Sequence, residues 1–316
     1  MVEDVKVAYV FPGQESIKVG MGLDFYVHYT SARQVFEDVD KALGFPLSRL
    51  CFEGPEEDLS QTMNAQAAIM TVSMACLKAG EEMSGGALPP PTLVAGHGCG
   101  EYAALVSAGV MKLDDAVRLI RERGRLMNEA GRRKPGGMLT MDIDKDTVEG
   151  VCLTTGVEMS NINAPENIVV SGEDHKLAKA RRLAQVKGAR RMIPVKVSGA
   201  FYSSLMEPAL DGMINAVAQF QYETPTVNVV SNVTAQPMHS LEAIKEDLIS
   251  QVVHCIKWQQ SVETMLARGI TTFFEVGPGD VLTRYIKLIS PGALIFNLSS
   301  AETTSEIVKW RKGGRF

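Results

Sequence analysis

The run Gly96-His97-Gly98-Cys99-Gly100-Glu101 has the spacing of a turn built to present a reactive side chain. Glycines at its first and fifth positions let a strand turn sharply into a helix, so the residue between them stands exposed at the helix N-terminus. Nucleophilic chemistry there needs a serine or cysteine at the centre. The centre is Gly98, so the segment reads either as an elbow emptied of its nucleophile or as a plain glycine turn. Cys99, one residue on, lies at the mouth of the same helix, whose dipole lowers a thiol pKa. A residue in that place normally points away from substrate, and a packed, inert thiol is the competing reading. His97 flanks the turn, as a contact to a ligand or as a wall. A helix over residues 114–130 puts Ala116, Leu119, Ile120, Arg123 and Met127 on one stripe, which turns Arg123 inward and leaves Arg121 and Arg125 outside. A buried guanidinium needs an acceptor, and a carboxylate held by both its oxygens suits it, whether from a ligand or from a Glu or Asp of the chain.

The elements that must hold these residues are legible as an alternation of strands and helices. Residues 5–11 form an apolar, β-branched strand stopped by Pro12-Gly13, and residues 92–95 form a short apolar run ending in Gly96, as buried parallel strands do. A buried helix is expected over 64–78, another over 101–107, and further strands over 227–230 and 272–276. Between about 137 and 197 the order changes to strand 138–143, helix 145–152, strands 157–162 and 167–171, helix 174–186 and strand 189–195. That βαββαβ order predicts a ferredoxin-like unit. The expected architecture is α/β: a large domain with a parallel sheet, from residues 1–134 and 198–316, into which a ferredoxin-like subdomain, 135–197, is inserted. The cleft between them is the default ligand site.

Bulk properties narrow the function. The 316 residues carry a net charge of −5, with 45% hydrophobic and 22% charged residues, the balance of an ordinary globular protein. Mild acidity argues against nucleic-acid binding. Five cysteines without a CxxC pair fit a reducing compartment rather than a disulfide scaffold or zinc site. No apolar run of about 18 residues and no leader pattern point to a cytoplasmic protein without a membrane span. One region is locally basic: Lys176, Lys179, Arg181, Arg182, Lys187, Arg190, Arg191 and Lys196 follow one another with no acid between them. It reads as a docking surface or as a solvated helix face.

Further motifs join the elbow: Phe11-Pro12-Gly13-Gln14, the run from Gly100-Glu101-Tyr102 to Gly109, Arg123-Gly124 with Met127, Asn163 with Pro165, Ala200-Phe201 with Ser203 and Leu205-Met206, Ser231-Asn232-Val233-Thr234, and Glu275-Val276-Gly277-Pro278-Gly279. In this order the chain resembles the malonyl-CoA:acyl carrier protein transacylase family from about residue 5 to 290. The resemblance implies an α/β-hydrolase-like domain with a ferredoxin-like subdomain. It also implies ping-pong chemistry, in which a serine activated by histidine takes malonyl from coenzyme A and passes it to the carrier's thiol. Gln14 and the Cys99 N–H match the oxyanion-hole positions, Arg123 the clamp on the malonyl carboxylate, and Gln251 the glutamine that orients the histidine.

The chain departs from that pattern where chemistry occurs. Gly98 stands at the serine position and Tyr202 at the histidine position, and a phenol with pKa near 10 is a poor base at pH 7. His28, His97, His175, His239 and His254 offer no replacement at either place. Glu15 and Ile17 alter the loop after the first strand, and Asn167 stands where the family shows glutamine. The resemblance therefore implies a monomer without cofactor that binds malonyl-CoA or another acyl-CoA, and acyl carrier protein through the basic region, as a pseudoenzyme in fatty-acid or polyketide synthesis. The alternatives are direct attack by the carrier thiol in space left by Gly98, decarboxylation, or thiolysis through Cys99; with Tyr202 in the histidine's place, the other role open to Gln251 is a bond to the phenol. A transacylase whose serine and histidine had been exchanged deliberately would read the same way.

Overall fold

In the computed structural model, residues 5–312 are described. The expected large unit also included 1–4 and 313–316, which lie outside them. The strands are β1 (Val7–Phe11), β2 (Leu93–Gly96), β3 (Gly137–Met141), β4 (Glu158–Ala164), β5 (Asn167–Gly172), β6 (Met192–Pro194), β7 (Val229–Val230), β8 (Pro237–Met238), β9 (Thr272–Val276) and β10 (Leu294–Leu298). They form a six-stranded sheet of order β10-β9-β1-β2-β7-β8 and a four-stranded sheet of order β4-β5-β3-β6. In the large sheet every neighbouring pair is parallel except β7 with β8. All residues of β1, β2 and β9 are buried, so β1 and β2 read as unbroken apolar runs, while β9 carries a buried Glu275 that accepts from the Leu282 and Thr283 N–H groups.

The small sheet is antiparallel throughout. Its strands come from the chain between β2 and β7, and its order is that of the ferredoxin-like unit. The helices Lys145–Thr155 and Asp174–Val186 pack against it and bury Val148, Val151, Ala180 and Ala184. Several expected bounds shift. The strand expected over 189–195 is only β6, which pairs with β3 from Met192 to Pro194 and ends at that proline. The strand over 227–230 shortens to β7, while the helix over 64–78 extends to Thr62–Met83 and that over 114–130 to Leu113–Arg133. No helix of the described residues is long and apolar enough to cross a membrane.

Three elements converge on the elbow. The helix Glu101–Ser107 starts directly after a single turn at Gly98–Gly100 that follows β2. A Cβ on Gly96 would lie 2.0 Å from the Gly100 carbonyl carbon, so the sharp turn needs glycine there. The loop after β1 closes on the same point, with the His97 N–H donating to the Phe11 carbonyl at 3.0 Å. The long helices Thr62–Met83 and Leu113–Arg133 pack together behind the elbow.

Candidate active site at the elbow

Gly98 has φ +54°, a left-handed conformation that glycine adopts without cost. Its N–H donates to Asn232 Oδ1 at 3.1 Å. A Cβ built on it would lie 2.4 Å from the Tyr202 hydroxyl. The space expected to be left by Gly98 is therefore taken by the tyrosine that stands at the histidine position. Tyr202 is itself at φ +57°, where few residues with a side chain settle. Burial pushes its phenol above the ordinary value, with the Arg123 charge pulling the other way. The group is neutral at pH 7 and no base.

Arg123 is fully buried, as its stripe predicts. No carboxylate of the described residues pairs with it, so the internal ion pair is overturned. Instead its guanidinium donates to Gln66 Oε1 at 2.8 Å and to Gln251 Oε1 at 2.9 Å, with its carbon 5.9 Å from the centre of the Tyr202 ring. Neutral dipoles and a ring face hold the charge. A cation–π contact is worth up to about 2 kcal/mol when desolvated, well short of the several kcal/mol that burying an ion costs. Arg123 Nε has no partner. Gln251 thus serves the arginine and not the phenol, which corrects the expected bond.

Cys99 is 2% exposed and packs into the main core. Burial pushes its thiol up to about 11, although the Arg123 charge and the backbone N–H groups of Gln14 and Cys99 pull it down. The helix-mouth position does not yield a thiolate, because desolvation outweighs the dipole. The packed reading of Cys99 is the one the geometry bears out.

A cavity of about 390 Å³ opens in front of this group, between the two sheets' elements. Gln14, His97, Met138, Phe201 and Tyr202 line it, with Glu15, Glu56 and Lys196 exposed at its mouth. Arg123 is not among the lining residues. His97 is buried against Trp258, ring centres 5.6 Å apart, and its Nε2 lies 2.8 Å from Asn163 Oδ1. Asn163 Nδ2 in turn donates to Asn167 Oδ1 at 3.0 Å and to the Tyr285 hydroxyl oxygen at 3.3 Å. The Tyr285 hydroxyl donates to Glu15 Oε2 at 3.0 Å, and Asn167 Nδ2 to Asp142 Oδ1 at 3.3 Å. Asn167 is thus part of a bracing network for His97, and His97 is both a wall and a cavity-facing group.

Sequence reasoning missed Gln66, Asn161, Tyr285 and a buried acid pair. Gln66 had a signal: a polar side chain inside an otherwise apolar helix face. The acid pair is Glu101 and Asp247. Asn232 Nδ2 donates to Glu101 Oε2, and the Ser231 hydroxyl donates to Asp247 Oδ1. Burial first, then the charge of Asp247, raises the Glu101 carboxyl well above its ordinary value, so it holds its proton. Through Asn232, which also accepts from the Gly98 N–H, this pair anchors the elbow from beneath.

The profile of the acyl transferase domain family matches residues 8–291. The malonyl CoA-acyl carrier protein transacylase of Bacillus subtilis (strain 168) is 39% identical over 308 residues, which is 94% of this chain and 95% of that protein. The Escherichia coli (strain K12) protein of the same name is 36% identical over 287 residues, 89% of this chain and 92% of that one. Among solved structures, the acyl-carrier-protein S-malonyltransferase of Bartonella henselae superposes with a TM-score of 0.92 at 36% identity, covering 98% of this chain and 100% of its own. A type II PKS malonyl-transacylase in complex with its acyl carrier protein superposes with a TM-score of 0.92 at 31% identity, covering 96% and 99%.

Proposed function

The chain belongs to the malonyl-CoA:acyl carrier protein transacylase family, and from that premise we propose that it serves fatty-acid or polyketide synthesis as a member that binds acyl thioester and carrier protein without forming an acyl-enzyme. The observation that carries this reading is the Tyr202 hydroxyl, 2.4 Å from where a Cβ on residue 98 would stand. Glycine removes the nucleophile, and the tyrosine removes the base and occupies the room together. The two departures fit each other sterically, so one alone would not restore the pathway. Gln14 and the basic run toward Lys196 stay beside the cavity, where a thioester and its carrier would approach.

The same observation weighs against the catalytic alternatives. Direct attack by a carrier thiol needs the space that Tyr202 fills. Thiolysis through Cys99 needs a thiolate, and its thiol is buried and pushed up to about 11. Arg123, in its clamp role, lies behind the Tyr202 ring and serves a ligand carboxylate only when that ring moves.

Intact-protein mass spectrometry after incubation with malonyl-CoA tests the reading, followed on the same sample by transfer to an acyl carrier protein. No adduct and no transfer are expected, with carrier binding retained. A malonyl adduct on the wild-type chain overturns the proposal, and peptide mapping then identifies the acylated residue.

A further inference from the structure

The cavity has a charge distribution opposite to the one a free carboxylate needs. Its deep wall is apolar or neutral: Met138, Phe201 and Tyr202, with His97 and Asn161 as the polar groups. At its mouth stand two carboxylates, Glu15 and Glu56, against a single ammonium, Lys196. The fully buried cation of the neighbourhood, Arg123, is capped by the Tyr202 ring and donates to Gln66 and Gln251 rather than into the cavity. An anion entering this cavity passes like charges and then meets no cation at the bottom, so it loses its hydration without a partner. A hydrocarbon end gains from the same walls, because each buried methylene leaves water for apolar contact. The volume, about 390 Å³, lies toward the small end of the range of roughly 300–1,000 Å³ for small-molecule sites. That favours a short chain.

We infer that the acyl group this site accepts is short and uncharged, without a free carboxylate, and that Tyr202 and Glu15 are the residues that set this preference. The inference rests on the acyl-thioester reading above and sharpens it. Tyr202 acts by covering Arg123, and Glu15 by placing a negative charge, held by the Tyr285 hydroxyl, at the entrance.

Isothermal titration of the whole chain with butyryl-CoA, malonyl-CoA and coenzyme A itself decides the matter. The wild type is expected to bind butyryl-CoA at least tenfold more tightly than malonyl-CoA. Tyr202→Ala, which uncovers Arg123, is expected to strengthen malonyl-CoA binding about tenfold, and Glu15→Gln to strengthen it a few-fold, each raising the affinity for malonyl-CoA relative to butyryl-CoA. Wild-type binding of malonyl-CoA as tight as that of butyryl-CoA overturns the inference while leaving the acyl-thioester reading intact. If neither ester binds more tightly than coenzyme A, the acyl site itself is absent and both fall. The wild-type comparison decides even if a variant does not fold.

Discussion

At the scale of single residues, Gly98 and Tyr202 behave as one feature. The left-handed backbone at Gly98 and the hydroxyl seated over its Cα leave no room for a side chain. Gly98→Ser alone should therefore not rebuild a nucleophile. It should cost about 1–3 kcal/mol by overpacking, with a further strain of about 1–2 kcal/mol at positive φ. Thermal denaturation reads the loss as a lowered Tm. Combining it with Tyr202→His removes the clash and supplies a base, so the double variant should be more stable than Gly98→Ser and should gain a malonyl adduct by mass spectrometry. A Gly98→Ser protein as stable as wild type would show that the phenol is not wedged there. Arg123 follows the same logic of local complement. Its inward stripe was legible from a 3.6-residue period, but its partners were not, because Gln66 and Gln251 lie 57 and 128 residues away in sequence and periodicity carries no such information.

At the scale of elements, the acid pair joins the helix Glu101–Ser107 to the helix Leu241–Ser250 beneath the elbow. Glu101 is protonated in the fold because burial and the Asp247 charge disfavour its anion. Its folded pKa lies above its unfolded one, so the folded state binds the extra proton. The stability this group contributes is then fully present below the ordinary carboxylate range and is lost as pH rises toward the raised value. Urea denaturation followed from pH 5 to pH 8 should show this slope, and Asp247→Asn should flatten it by removing the like charge while keeping an acceptor for Ser231. An unchanged slope in that variant would place the titration elsewhere. This pair left no local mark: Asn232 and Glu101 are separated by 131 residues, and a lone Glu in the first helical turn reads as an ordinary dipole partner. Strands β1 and β2 were legible because burial on both faces makes them uniformly apolar, and β9 because its Phe273, Phe274 and Val276 favour a strand despite the buried Glu275. The edge strand β10 was not: its run Leu-Ile-Phe-Asn-Leu is apolar, but so short a run does not by itself separate strand from helix, and four of its five residues are only half-buried or exposed.

At the scale of the whole molecule, a chain of net charge −5 gathers eight basic residues with no acid between them from Lys176 to Lys196, in the inserted antiparallel unit. Lys176 pairs with Glu173 at 2.7 Å, and Arg190 with Glu166. Lys179, Arg181, Arg182, Lys187, Arg191 and Lys196 are exposed and have no acidic partner among the described residues. Six charges without an acidic partner between Lys179 and Lys196 raise a local field along this stretch that interleaved acids would normally cancel, and the stretch ends at Lys196 beside the cavity. An acidic carrier protein would be steered there, and its pantetheine arm would be delivered to the cavity that Gln14 and His97 line. Reversal of Arg181, Arg182 and Lys196 to Glu should weaken binding of an acyl carrier protein about tenfold near 0.1 M salt, where the Debye length is about 10 Å, mainly through a slower association rate. Near 1 M salt, with a Debye length of about 3 Å, the variant and wild type should converge. Surface plasmon resonance at the two salt concentrations separates the outcomes. An effect that persists at high salt would mean a packed contact at these residues, and no effect at either would move the carrier to another face.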